Sequence, residues 1–211
     1  YGCIAANYVS ADSSNFVDGR WCTQATDMDS GERFTIRSKV LINAAGPYAD
    51  AVNAEAEIKT EYRHLFSKGI HLIVDRITDN RRVLTFFASD GRLFFLIPMG
   101  PKTCIGTTDT QVDAPEVEVT NEDRDFVLSN CNALLDLERP LTRDDIIAER
   151  VGVRPLAVAG EGGVADWVQL SRKHVIEIDN SKQQMSIFGG KLTDCLNVGD
   201  EVAEHVAALG V

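Results

Sequence analysis

The chain has 211 residues, of which 44% are hydrophobic and 25% are charged, and its formal net charge is −11. The length predicts one large globular domain, or one and part of a second, and no run approaches the ~18 apolar residues that span a bilayer. The acidic balance argues against a nucleic-acid partner, because such a surface needs clustered basic residues to neutralise phosphates.

Short strands are predicted in the first half of the chain. Residues 16–28 and 34–43 are predicted as two strands of a hairpin whose turn places Gly31 at a positive φ, and residues 47–56 as a short helix. Four more strands are separated by turn residues and are predicted at residues 70–74, 83–87, 93–98 and 103–107. This run indicates an antiparallel sheet.

A helix is predicted over residues 121–137. Thr120 and Asp123 have the spacing of a capping box, and apolar residues follow at helical intervals. Strands and a last helix complete the chain and are predicted at residues 146–153, 174–178, 185–188 and 192–209. Strands in runs with helices segregated between them are typical of an α+β fold, with antiparallel or mixed sheets and flanking helices.

The cysteines and histidines give no metal-site pattern. The five cysteines form an odd set without a C-x-x-C pair, so we interpret them as buried thiols in a reducing compartment: Cys3, Cys22, Cys104, Cys131 and Cys195. The four histidines are scattered without ligand spacing. The sequence therefore predicts no metal.

The most informative motif is a turn between the last strand and the last helix, Phe188-Gly189-Gly190-Lys191-Leu192-Thr193. Two glycines and a helix start deliver backbone N–H groups, and the lysine adds a positive charge, so the turn suits an anion. Taken alone, the motif is better explained as a tight structural connection, because glycine pairs are common at such corners.

Four other segments accompany this turn: residues 40–47 (VLINAAGP), 67–71 (SKGIH), 105–109 (IGTTD) and 151–156 (VGVRPL). In this order and spacing, the five segments resemble the FAD-dependent glycerol-3-phosphate dehydrogenase family, within the D-amino-acid-oxidase-like flavoproteins. The resemblance runs over most of the chain.

The family opens with a strand, a G-x-G-x-x-G turn and a helix that hold the ADP half of FAD, and nothing of that kind opens this chain. We therefore expect a fragment, inactive by itself, whose N-terminal FAD-binding segment is missing. The resemblance implies three parts: a remnant of the FAD domain at residues 1–60, a substrate domain at 61–182, and a returning FAD-domain strand and helix at 183–211. It also predicts that residues 40–46 and 189–193 lie close in space.

The resemblance implies that the substrate is sn-glycerol 3-phosphate, oxidised at its secondary alcohol to dihydroxyacetone phosphate by hydride transfer to flavin N5. Arg154 and Arg172 correspond to the substrate-binding arginines, and a planar guanidinium matches phosphate oxygens well. By residue type alone, Arg154 could equally pair with Glu149 or Asp166, and a solvated loop charge is the simpler interpretation of Arg172.

His71 is the candidate for accepting the hydroxyl proton, because histidine can do so near neutral pH. From the strand pattern alone it would be a satisfied sheet histidine. The resemblance places it near the flavin, where it could be a base, an orienting donor or a hydrogen-bond partner of the substrate.

The remaining site residues are implied to bind FAD. Lys191 and the amides near Leu192 and Thr193 would stabilise negative charge around N1 and the C2 carbonyl of the reduced flavin. The other members of the set contact the cofactor through backbone: Ala45, Gly46, Gly189 and Gly190. The sequence then departs from the family at Asp194, which we interpret as a helix cap that adds a negative charge near the flavin.

Two alternative functions stay open at this stage: a related FAD-dependent amino-acid or amine oxidase, and a non-catalytic binding module that has lost FAD. The resemblance also implies a respiratory quinone or other electron acceptor. The implied location is cytoplasmic, extending to peripheral contact with the inner face of the membrane, although no basic amphipathic helix supports that contact.

Overall fold

The computed structural model describes residues 2–160 and 173–210. The chain divides into two compact units, of which the first contains Tyr1–His64 and Pro155–Val211 and the second contains Leu65–Arg154. The second unit thus ends well before residue 182, where the sequence placed the end of the substrate domain. The reason is that β11 (His174–Asp179) pairs with a strand of the first unit.

One sheet of the first unit is an antiparallel meander in the order β1-β2-β3, formed by β1 (Val9–Val17), β2 (Arg20–Asp27) and β3 (Arg33–Ser38). Gly31 lies in the turn before β3 with a φ of 74°, as predicted. The prediction of one strand over residues 34–43 is wrong. The chain leaves the meander after β3, and β4 (Leu41–Asn43) joins a different sheet.

That second sheet brings distant parts of the sequence together. Its order is β11-β12-β4, where β12 (Gln184–Gly189) runs antiparallel to β11 and parallel to β4. Because parallel strands end at the same edge of a sheet, the turn after β4 and the turn after β12 are neighbours. The predicted proximity of residues 40–46 and 189–193 is confirmed. The helices of this unit are α1 (Ala49–Glu55) and α3 (Cys195–Ala208).

The second unit is built on a larger sheet in the order β10-β5-β8-β7-β6, with β9 also paired to β5. Its strands are β5 (Tyr62–Asp75), β6 (Leu84–Phe87), β7 (Leu93–Met99), β8 (Lys102–Gly106), β9 (Thr110–Val112) and β10 (Ala148–Ala159). The boundary between the units falls within β5 and β10. The α+β class with antiparallel and mixed sheets is confirmed.

Helix α2 (Asn121–Leu134) covers one face of this sheet. It begins as predicted, with a capping box between Thr120 and Asp123. Its apolar side chains join a core that includes fully buried residues of three strands and the helix itself: Ile70, Leu72, Val74, Phe94, Leu96, Ile105 and Val127.

Strand β5 has two chemically different faces because side chains alternate along a strand. The even-numbered Ile70, Leu72 and Val74 enter the core with α2. Lys68 is also even-numbered and lies on this core face. Its ammonium pairs with Asp123 of α2, and the two side chains are only 8% and 7% exposed. The odd-numbered residues from 67 to 71 therefore face the other side of the sheet.

His174 ties β11 to the last helix through two carboxylates. Its Nδ1 lies 2.6 Å from Asp194 Oδ2, and its Nε2 lies 2.9 Å from Glu201 Oε2. Hydrogen bonds to Glu201 and Asp194 raise the pKa of His174. Asp194 is the N-cap residue of α3, as predicted, but its side chain makes no capping hydrogen bond to the helix backbone.

The cysteines only partly match their interpretation as buried thiols. All five are free, and Cys104 and Cys131 are buried, but Cys3 and Cys195 are exposed. Among the residues described, no helix has the length and apolar character needed to cross a membrane.

The buried pair of Lys68 and Asp123 predicts an asymmetric mutational response. Asp123→Ala leaves an ammonium buried without its carboxylate and removes the α2 cap, so it should lower the free energy of unfolding by about 3–5 kcal/mol. Lys68→Met should cost less, because Asp123 keeps its hydrogen bonds to Thr120. Urea unfolding of both variants measures this. Equal losses would contradict the asymmetry.

The His174 contacts predict a pH-dependent contribution to stability. A raised histidine pKa means that the stabilisation is full below the ordinary value of ~6.5 and is lost as the pH rises through the raised value. The loss of unfolding free energy in His174→Gln should therefore be larger at about pH 6 than at about pH 9. His205→Gln on α3 is the matched control. A pH-independent loss would rule out a charged His174.

Candidate active site

Arg154 presents its guanidinium to a cluster of hydroxyl and carbonyl oxygens in the second unit. Its Nη2 donates to Thr107 Oγ1 at 3.1 Å, and Nη1 makes longer contacts with Ser67 Oγ at 3.4 Å and the carbonyl of Thr108 at 3.5 Å. The side chain is 33% exposed. Three neutral oxygens thus contact the guanidinium, and a third of the side chain remains exposed.

Among the described residues, the carboxylate nearest Arg154 is one that the sequence did not suggest as its partner. Asp109 Oδ1 lies 3.7 Å from Arg154 Nη1 and also accepts a hydrogen bond from Ser67. Glu149 instead forms a fork with Arg124 at 2.5 and 2.8 Å, so the suggested pairing with Arg154 is wrong. Asp166 and Arg172 lie outside the described residues.

Gly69 makes the position of Arg154 possible. A Cβ built on Gly69 would lie 2.3 Å from Nη2 and 2.7 Å from Cζ of Arg154, which is closer than atoms can approach. The bare backbone of β5 therefore serves as the surface on which the guanidinium rests. Gly69 lies in the SKGIH motif, but the sequence predicted no separate role for it.

His71 lies on the same odd-numbered face of β5, half-buried and opposite Gly106 of β8. Burial, followed by the positive charges of Arg154 and Arg150, lowers the pKa of His71. The imidazole is therefore neutral at neutral pH, which is the state that can accept a proton. Gly106 keeps this neighbourhood open, because a Cβ there would lie 2.7 Å from the Ile70 carbonyl oxygen and 3.1 Å from His71 Cδ2.

In the first unit, the Gly189-Gly190 turn requires two glycines in succession. Their φ angles are 64° and 84°, which L side chains rarely adopt. A Cβ on Gly189 would also lie 3.0 Å from the Lys173 carbonyl oxygen. The paired glycines therefore let the chain turn sharply at the end of β12.

The Gly189-Gly190 turn leads into backbone N–H groups at the start of the last helix. Residues Leu192–Asp194 form a 3₁₀ turn before α3, so the predicted helix over residues 192–209 starts in this tighter geometry. Its first internal bond runs from the Asp194 N–H to the Lys191 carbonyl, so the amides of Leu192 and Thr193 have no acceptor within the helix. Lys191 is exposed beside them. The negative charge of Asp194 is offset by its contact with His174.

The neighbouring turn after β4 is built from small residues. Asn43 holds it by accepting from the Ala45 N–H at 3.2 Å and donating to the Ala49 carbonyl at 2.8 Å. Gly46 has a φ of 57°, and a Cβ there would meet nothing within 4 Å. A flat ligand can therefore approach this backbone closely. These small residues and the donors of the second turn fit a flavin cofactor.

The structure thus gathers the predicted residues into two sets. Ala45 and Gly46 lie on the same sheet edge as the Gly189 turn, and His71 and Arg154 lie in the second unit. The roles assigned to these residues remain predictions. Within the described parts of the chain, no three His, Cys, Asp or Glu side chains group as metal ligands would.

Comparison with known proteins agrees with this fold. A family model described as FAD dependent oxidoreductase matches residues 11–177. The mitochondrial glycerol-3-phosphate dehydrogenase of Bos taurus is 30% identical over 214 residues, covering 95% of this chain and 29% of that protein. The aerobic glycerol-3-phosphate dehydrogenase of Staphylococcus haemolyticus is 32% identical over 200 residues, covering 93% and 34%. The chain spans about a third of the length of these relatives.

A solved structure is similar over the whole chain. The glycerol-3-phosphate dehydrogenase of Bacillus halodurans, complexed with FAD, superposes with a TM-score of 0.81 at 32% identity, covering 100% of this chain and 40% of that one. Glycine oxidase of Geobacillus kaustophilus shares the fold at a TM-score of 0.57 and 15% identity. Since the family model matches most of its length, this chain belongs to the FAD dependent oxidoreductase family.

Proposed function

We propose that this chain is part of an enzyme that oxidises sn-glycerol 3-phosphate to dihydroxyacetone phosphate with FAD as cofactor. The observation that carries the proposal is the odd-numbered face of β5. There Arg154 rests on Gly69 beside a neutral His71, so an anion-binding group and a proton acceptor share one surface. The names of the similar proteins support the same substrate.

Arg154 is proposed to bind the substrate phosphate. A guanidinium held by Thr107 and backed by Gly69 keeps its planar fork in a fixed orientation, which suits two phosphate oxygens. Asp109 helps to orient the guanidinium in two ways. Its Oδ1 lies 3.7 Å from Arg154 Nη1, and it accepts a hydrogen bond from Ser67, which also contacts Arg154. Arg172 is proposed as a second phosphate ligand on the resemblance alone.

His71 is proposed to take the proton from the secondary hydroxyl of the substrate. Its lowered pKa keeps a ring nitrogen available as an acceptor near neutral pH. When bound, the flavin of FAD supplies the acceptor for the hydride. Loss of the hydroxyl proton to His71, and of the hydride from the carbon that bears this hydroxyl, would leave the ketone.

The turns of the first unit are proposed to hold FAD. Lys191 and the amides of Leu192 and Thr193 provide positive potential, which favours electron uptake by a flavin beside them. Gly189, Gly190, Ala45 and Gly46 allow close approach of backbone. The ADP half would be held by a segment outside this chain.

The electron acceptor and the location belong to the same proposal. We infer a quinone or another acceptor, and a cytoplasmic protein that contacts the inner membrane face peripherally. The support is the family resemblance. Reoxidation of the substrate-treated protein by a soluble quinone analogue, compared with oxygen, tests the acceptor.

The full-length gene product that contains this chain provides the direct test. Its flavin absorbance should bleach on anaerobic addition of glycerol 3-phosphate and should persist with amino acids or amines. A yellow protein bleached by an amino acid would replace the proposal with an oxidase. A colourless protein would favour a binding module.

Gly69→Ala should weaken substrate binding while the protein stays folded. The new methyl group displaces the Arg154 guanidinium, and loss of a charge-assisted contact of about 1.5–3 kcal/mol should raise KM by about 10- to 100-fold. Gly152→Ala is the matched control, because a Cβ there meets nothing within 4 Å. Steady-state kinetics measure both. If Gly69→Ala and Gly152→Ala have the same KM, Arg154 does not bind the substrate.

His71→Asn should lower kcat by about 10²–10⁴-fold, because a positioned base is lost. In the unsubstituted enzyme, activity should fall as the pH drops through the lowered His71 pKa, with a midpoint below the ordinary ~6.5. The pH dependence of kcat/KM measures this. If the acid limb persists unchanged in His71→Asn, another group is the base.

A further inference from the structure

His64 occupies a buried position between the two turns of the first unit. Its side chain is fully buried, and its ring centroid lies 5.1 Å from that of Phe188. From sequence, His64 is one of four scattered histidines without metal-ligand spacing. Nothing in the proposed reaction uses it.

Two contacts define the protonation of this imidazole. Gly189 donates its backbone N–H to His64 Nε2 at 3.2 Å, so Nε2 acts as an acceptor and carries no proton. The proton is then on Nδ1, which lies 3.0 Å from Asp50 Oδ2. The ring is therefore held as the neutral Nδ1–H tautomer by a donor on one side and an acceptor on the other.

Asp50 is well placed to select that tautomer. Its Oδ2 also accepts the backbone N–H of His64 at 3.0 Å, so one carboxylate oxygen fixes both the main chain and the ring. Partial burial alone would raise the pKa of Asp50, but the hydrogen bonds from His64 lower it overall. An ionised carboxylate only accepts, so it requires a proton on Nδ1.

The contacts connect the two backbone turns. Asp50 is in α1, directly after the Ala45-Gly46 turn, and Gly189 opens the Gly-Gly-Lys turn. A buried polar link runs in parallel, from Asn43 through Asn53 to Ser186 at 2.7 and 2.8 Å. The Gly189 amide is therefore occupied by His64 and is not among the donors that the turn presents.

We propose that Asp50 and His64 are positioning residues that set the Gly189 turn relative to the Ala45-Gly46 turn for the cofactor. That the cofactor is FAD rests on the proposed function. The hydrogen-bonded link from Asp50 through His64 to Gly189 is formed entirely by residues of this chain. It predicts that the tautomer of a buried histidine controls cofactor retention without contact between the histidine and the substrate.

Two conservative variants separate the two halves of the link. The amide of Asn can mimic Nδ1, and that of Gln can mimic Nε2. His64→Asn therefore keeps a donor to Asp50 and loses the acceptor for Gly189, whereas His64→Gln keeps the acceptor. Asp50→Asn removes the charge and offers His64 a donor as well as an acceptor, so the Gly189 N–H is then the contact that selects the tautomer. His205→Gln is the control for a histidine elsewhere.

The first measurement is nitrogen-15 NMR of the full-length gene product, in which the His64 tautomer can be observed with or without bound cofactor. His64 should show a protonated Nδ1 and an unprotonated Nε2, and in Asp50→Asn the Gly189 N–H should still keep Nε2 unprotonated. Exchange of the Gly189 amide should be about fivefold to tenfold faster in His64→Asn than in His64→Gln. A proton on Nε2, or equal exchange in both variants, overturns the link.

The second measurement is FAD affinity of the full-length gene product. His64→Asn should bind FAD about tenfold more weakly, with His64→Gln and His205→Gln near the original value. Equal weakening in His64→Asn and His64→Gln would reduce His64 to a packing role and overturn the proposal. If the unsubstituted protein binds no FAD, the proposed function fails, and the NMR result alone decides the positioning link.

Discussion

The alternation of side chains along β5 is the constraint on which the second unit depends. A strand shows successive residues to opposite faces, so one short segment must serve the core and the candidate site together. Ile70, Leu72 and Val74 bury against α2, while Gly69 and His71 form the opposite surface. A slip of one residue in register would exchange the two faces and remove both functions at once.

The same alternation explains why Lys68 is buried. It stands on the core face, where an ammonium is costly unless paired, and Asp123 of α2 supplies the partner. Asp123 also caps α2, so one carboxylate fixes the start of the helix and neutralises the charge of the Lys68 ammonium on β5. Helix and strand are thereby held at the position where Gly69 supports Arg154 on the other side.

Two histidines with different hydrogen-bond partners flank the Gly189 turn of the first unit. His174, between Asp194 and Glu201, has a raised pKa and offsets the negative charge at the start of α3. His64 accepts a hydrogen bond from the Gly189 amide, so its Nε2 carries no proton. The difference follows from their partners: two carboxylates favour the cation, whereas one carboxylate and one N–H donor require a single proton.

The sequence by itself determined the α+β class, most strand positions, the capping box of α2 and the meeting of the turns after β4 and β12. These follow from local patterns and from five motifs whose order is preserved. Only the tertiary structure decided that residues 34–43 belong to two sheets, that Arg154 rests on Gly69 near Asp109, and that His64 joins Asp50 to Gly189. Such contacts join residues far apart in the chain, and hydrogen-bond partners across that distance leave no periodic signal in the sequence.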